Sequence, residues 1–259
     1  MPSFWRIIDA DSARPRAAAG RRTRTTSAHP EFHHRDVQGG ALRAAVFGVS
    51  DGLVSNMGLI LGVAGADPQP AVVRLVGLAG LVSGAISMAA GEYNSMRVQS
   101  ELLLRELRIE ARELRRRPEH ETRELAEIYE QRGLAPKQAR DVAEAMMSHP
   151  DVALEAHARE ELGIDPQQLG SPLGAAASSF VSFSVGALLP LVPWFVTSGN
   201  AAKLASLVLG VLGAVVVGWL IGRSTDRPMI RAIARQVVFT VVPALITFGI
   251  GNALGVGTV

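Results

Sequence analysis

The sequence contains no cysteine. That absence excludes disulfides, thiolate metal sites and cysteine nucleophiles together, and it leaves the compartment open. Aromatic residues make up only 5% of the chain, too few to interleave with basic side chains as a stacking platform for nucleic acid. The most informative shortage is of charge at particular places. Residues 75–91, 166–202, 204–222 and 236–259 carry no charge, and 16 of the 24 acidic residues lie between Glu101 and Asp165. A water-soluble fold needs charge on the outer face of each helix, so a soluble globular enzyme is excluded. The chain reads as an integral membrane protein.

Five apolar segments follow one another, at about 42–66, 72–92, 173–196, 201–221 and 237–254. Each is near the ~20 residues that a helix needs to cross ~30 Å of hydrocarbon. Short polar turns at Ala66–Pro70 and Thr197–Asn200 make neighbouring spans antiparallel. The expected fold is all-α and polytopic, with five transmembrane helices and a helical domain between the second and third. Basic residues set the orientation. Seven arginines precede Arg43, 12 Lys and Arg lie between 97 and 165, and Arg223 and Arg227 follow span four. The connections after spans one and three hold only Arg74 and Lys203. The amino terminus and the long insert are therefore expected on the cytoplasmic side and the carboxyl terminus on the other. Read this way, the net charge of +2 and pI near 9.5 report topology and not a nucleic-acid partner.

The boundaries that follow are a basic arm over 1–40, spans one and two over 41–96, a charged helical domain over 97–168, and spans three to five over 169–259. The arm is Arg- and Ser-rich like an organelle transit peptide, but its early acids, Asp9 and Asp11, argue against one. With Phe4, Trp5, Ile7 and Ile8 it reads as a segment that lies on anionic lipid. Gly80 and Gly84 form a GxxxG in span two, a signal for close helix packing in the chain or across a dimer. Pro190, Pro193 and Pro243 each remove a backbone donor and can kink a span.

In the insert, leucine and isoleucine recur at helical spacing. The first helix continues from span two to the Pro118 region, followed by helices over 119–132, 136–148 and 151–162, with Gly133 and Gly163 as stops. Glutamates occur in pairs three apart, Glu110/Glu113, Glu121/Glu124 and Glu127/Glu130. That spacing places two carboxylates on one helix face, where they repel unless cations neutralise them. The cations are either arginines, such as Arg108, Arg112 and Arg123, or a divalent metal. His157 and Glu161, an i,i+4 pair on the last helix, add an imidazole and a carboxylate. Oxygen ligands with one imidazole suit Mn²⁺ or Fe²⁺ and also admit Zn²⁺.

Within the membrane, Asp51 interrupts span one. An ionisable group there costs several kcal/mol unless it is paired or hydrated, which marks it as functional. Met88 and Glu92 lie one turn apart at the expected cytoplasmic end of span two. A thioether beside carboxylates is a reasonable site for a borderline divalent cation.

Four segments together are similar to the vacuolar iron transporter family: Asp51-Gly-Leu-Val-Ser with Gly62-Val-Ala-Gly-Ala66, Ser87-Met-Ala-Ala-Gly-Glu92-Tyr, the run from Glu124 to Gly133, and His157-Ala-Arg-Glu-Glu161. The resemblance covers about residues 36–257 and leaves the arm outside. It implies a homodimer of five-span protomers that exchanges cytoplasmic Fe²⁺ or Mn²⁺ for protons, without a prosthetic group. It also implies a path along Asp51 and Met88, to which the reading of span two adds Glu92, and metal gathering on Glu110, Glu113, Glu121, Glu124 and Glu161. His157 stands where some members carry methionine, and Ala158 where they carry glutamate. The competing reading is a membrane-anchored binding protein without transport, which would need neither five spans nor Asp51. The Ala- and Arg-rich composition favours a bacterial plasma membrane.

Overall fold

The computed structural model describes residues 40–163, 165, 170–224 and 228–255. The basic arm up to residue 39, with Phe4, Trp5, Ile7 and Ile8, lies outside the described residues, as do Pro166 and Arg227. Nine helices run in order among them: α1 (Gly40–Gly65), α2 (Pro70–Arg116), α3 (Pro118–Gln131), α4 (Pro136–Met147), α5 (Pro150–Glu160), α6 (Pro172–Leu191), α7 (Pro193–Val196), α8 (Gly199–Ser224) and α9 (Met229–Gly255). Five of these, α1, α2, α6, α8 and α9, are long and apolar enough to cross a membrane. They coincide with the five apolar segments of the sequence.

The chain divides into two compact units, one containing residues 37–98 and 170–259 and the other the insert 99–169. In the first, α1 is the central helix. Leu53, Met57, Ile60 and Ala64 are fully buried along it, and it packs against α6, α9 and α8. The α1–α6 contact is backbone on backbone. A Cβ at Gly52 would collide with the Phe183 carbonyl, and one at Gly186 with the Val49 carbonyl. Only the absence of a side chain at both positions lets the helices approach so closely.

The GxxxG of span two serves packing inside the chain. Gly80 faces Asn56 and Leu59 of α1, and Gly84 lies under the ring of Phe183 of α6. Gly210 and Gly213 of α8 likewise face Met57, Leu53 and Leu189. The prolines divide in effect. Pro190 and Pro193 separate α6 from the short α7, whereas α9 runs unbroken through Pro243. Ser206 seals the break, donating to the Pro190 carbonyl at 2.7 Å and accepting from Trp194 Nε1 at 3.0 Å.

In the insert unit, α3, α4 and α5 each begin with proline at their first turn, where its fixed φ suits a helix start and no hydrogen bond is lost. Gly133 follows α3 with φ 100°, a conformation that glycine adopts freely. Leu125, Ala126, Ala139 and Ala143 form the core, with Tyr129 and Met146 packed against it. Tyr129 donates to Met146 Sδ at 3.3 Å, and Arg132 pairs with Glu160.

Candidate functional site

The membrane unit holds a cavity of about 290 Å³ between α1, α2 and α6. Asp51, Ser55 and Asn56 line it from α1, Gly80, Gly84, Ser87 and Met88 from α2, and Phe183 from α6. Asp51 and Met88, 37 positions apart in sequence, thus open onto one space. Among the described residues no basic side chain forms an ion pair with Asp51, so its charge is left for a mobile cation or for water. Ser55 spends its hydroxyl on the Asp51 carbonyl at 2.6 Å.

Glu92 is not part of this lining. It is 8% exposed and accepts from Arg43 Nη2 at 3.1 Å, an ion pair between the first turns of α1 and a point one turn beyond Met88. Asn56, which sequence reasoning passed over, is in the cavity wall. Its signal was a polar amide five residues after Asp51 in the same span.

The insert unit gathers a second cluster, built by three helices. Glu110 of α2, Glu121 of α3 and His157 of α5 are all buried, and a ligand atom of each lies within 4.8 Å of the other two. His120, Glu121 and Glu124 form an adjoining triplet on the same criterion. Glu113 and Glu161 add their fields to the same group. All six metal-ligand candidates of the sequence therefore fall in one neighbourhood. His120 was missed, although it stands four residues before Glu124 just as His157 stands four before Glu161.

Electrostatics here favour a cation. Burial, then Glu161, push the Glu110 carboxyl up to about 7, with Glu121 and Glu113 adding and His157 opposing. Burial and then Glu124 raise Glu121 and Glu161 in the same direction. Glu110 Oε1 is buried without a hydrogen-bond partner. Among the described residues no arginine or lysine pairs with Glu110, Glu113, Glu121 or Glu124, so an arginine-neutralised face is not what folds here. Glu127 and Glu130 are exposed and stand apart, as a solvated face would.

His157 sits between two carbonyls, with Nδ1 2.9 Å from Ala153 O and Nε2 3.2 Å from Glu121 O. A neutral imidazole carries one N–H and satisfies one of them. With the proton on Nδ1, the Nε2 lone pair is left beside a carbonyl oxygen and carboxylates, an arrangement that a metal ion relieves.

The profile of the VIT family matches residues 42–252. A protein of Oryza sativa subsp. japonica named vacuolar iron transporter 2 is 33% identical over 228 residues, covering 87% of this chain and 92% of its own. Vacuolar iron transporter 1 of Eucalyptus grandis is 29% identical over 227 residues, covering 87% and 90%. A vacuolar iron transporter of Acanthamoeba castellanii is 37% identical over 183 residues, covering 68% and 66%.

Proposed function

Because the chain belongs to the VIT family, a family of metal transporters and not of enzymes, we propose that it carries Fe²⁺ or Mn²⁺ out of the cytoplasm in exchange for protons. The chain is a multi-pass integral membrane protein with five spans; the finer reading concerns its cargo, coupling and direction. The observation that carries it is the cavity shared by Asp51 and Met88, where an unpaired carboxylate meets a thioether inside the membrane unit. A carboxylate binds either a divalent cation or a proton, so one group serves both cargoes in turn. A thioether is the softer partner and favours a borderline ion over Mg²⁺ or Ca²⁺. Glu92, one turn from Met88 and held by Arg43, is a carboxylate whose partner an arriving cation would displace.

The insert cluster supplies capture. Glu110, Glu113, Glu121, Glu124, His157 and Glu161, with His120 now added, offer hard oxygens and imidazole nitrogens suited to Fe²⁺, Mn²⁺ and Zn²⁺. Orientation follows the basic residues, with the amino terminus and the insert facing the cytoplasm of a bacterial cell. The working unit is a homodimer. Leu75, Val82, Ile86 and Tyr93 align on one face of α2 and are exposed in the protomer, a stripe that a second copy can cover.

Reconstitution tests this directly. Mn²⁺ flux into proteoliposomes is expected to rise when the lumen is the more acidic side and to alkalinise the lumen in step, as protons leave in exchange for entering metal. Flux indifferent to the gradient would make the protein a metal channel, and no flux at all would favour a membrane-anchored metal binder.

A further inference from the structure

Asn56 is a buried polar group of the membrane unit to which the proposed path gives no task. It lies on α1 and is 2% exposed. Its Nδ2 donates to the Ala187 carbonyl of α6 at 2.7 Å. Only the NH₂ end of an amide can donate to a carbonyl, so this bond decides which way the amide points. The other end, Oδ1, is buried and has no hydrogen-bond partner, and the residue lines the cavity of Asp51 and Met88. Across from it stands Gly80 of α2, where a Cβ would lie 2.8 Å from Oδ1. Glycine therefore spares the oxygen a side chain pressed against it. A carbonyl oxygen fixed in place, shielded from solvent and left without a donor is unfavourable until a cation or a water molecule reaches it.

We propose that the Asn56 side-chain oxygen is a third ligand for the divalent cation in the Asp51–Met88 cavity, with Gly80 as the position whose missing side chain leaves it room. The proposal rests on the cavity being the metal path. Its chemistry suits exchange. An amide oxygen is a hard donor that carries no charge and takes up no proton in the physiological range. It stays a ligand whether Asp51 is ionised or protonated, so the swap of metal for proton is confined to one carboxylate. A second carboxylate in its place would bind the metal more tightly and release it less readily.

Two substitutions in the full-length protein separate a ligand from a merely structural amide. Asn56→Leu removes both ends of the amide, whereas Asn56→Asp keeps an oxygen but loses the donor to Ala187. With Mn²⁺ flux into proteoliposomes as the readout, Asn56→Leu is expected to raise the apparent KM about tenfold or more, and Asn56→Asp to leave it at or below the parent's value while slowing turnover. An equal rise in both variants would place the role of Asn56 in its bond to Ala187 and overturn the proposal. An unchanged KM in both would mean that the oxygen meets only water, and would overturn it too. Should Asn56→Leu fail to elute as folded protein, Gly80→Ala replaces it, because a Cβ there crowds Oδ1, and the end of the Leu59 side chain, while the Nδ2 donor to Ala187 is kept, and the same KM rise is expected. Asp51→Asn is measured alongside. Normal flux in that variant would remove the path itself, whereas loss of flux there with an unchanged KM in Asn56→Leu would remove only the ligand.

Discussion

If the insert cluster captures metal as proposed, Glu110 makes that capture depend on pH. Its carboxyl is pushed from 4.5 up to about 7, first by burial and then by Glu161. A group whose folded value is raised stabilises the fold fully below its unfolded value and loses that contribution as pH climbs through the folded value. The metal-free protein should therefore lose stability between about pH 4.5 and 7, with Glu121 and Glu161 acting in the same sense. Bound metal holds the ionised carboxylates, so the gain in melting temperature on adding Mn²⁺ should grow across that window. Glu110→Gln is neutral throughout, and should flatten the metal-free profile and cut the Mn²⁺ gain by a few degrees. Thermal melting of the solubilised protein from pH 5 to 8, with and without Mn²⁺, checks this. Equal gains at both ends of the range would mean that the cluster binds no metal in competition with protons. At this scale the sequence was half legible. Glu110, Glu113, Glu121 and Glu124 announce themselves by spacing, and His157 by its place on a charged helix. His120 and Asn56 do not, because what distinguishes them is the neighbour that folding brings: Glu121 and Glu124 for one, the Ala187 carbonyl and Gly80 for the other.

Helices were legible nearly to their ends, for two physical reasons. Charge-free windows long enough to cross a bilayer leave little choice of structure, and Pro118, Pro136 and Pro150 mark where helices of the insert begin. Which faces meet was not legible, since glycine is compatible with lipid, a second copy or a neighbouring helix. Gly80 and Gly84 turn out to face α1 and α6. The tightest such contact gives a prediction. Gly186→Leu drives a side chain into the Val49 carbonyl of α1, and backbone cannot step aside as a flexible side chain does. A loss of about 3 kcal/mol or more is expected, seen as a collapse in the yield of monodisperse protein. Gly91, with nothing near its missing Cβ, is the matched control and should accept alanine with normal yield. Wild-type yield in Gly186→Leu would mean that α1 and α6 are not so closely packed.

For the whole molecule, the lack of cysteine becomes an experimental asset. A single cysteine introduced at Val82 or Ile86, on the exposed stripe of α2, has no native thiol to pair with except its copy. If that stripe is the protomer interface, oxidation in membranes should give a covalent dimer from either variant, and cysteine at Leu212 of α8, equally exposed, should give none. Cross-linking at Leu212 alone would move the interface. Among the described residues, Asp51 is the one carboxylate that lines the cavity, and the proposed exchange of metal for proton falls to it. Asp51→Asn keeps size and hydrogen-bonding capacity and removes only the exchangeable charge. The measurement is Mn²⁺-driven proton movement in vesicles loaded with a pH-sensitive dye, comparing the parent with Asp51→Asn at equal amounts of folded, reconstituted protein. The expected result is proton movement coupled to Mn²⁺ entry in the parent and none above empty vesicles in the variant; coupled movement at the parent's rate in Asp51→Asn would contradict the account.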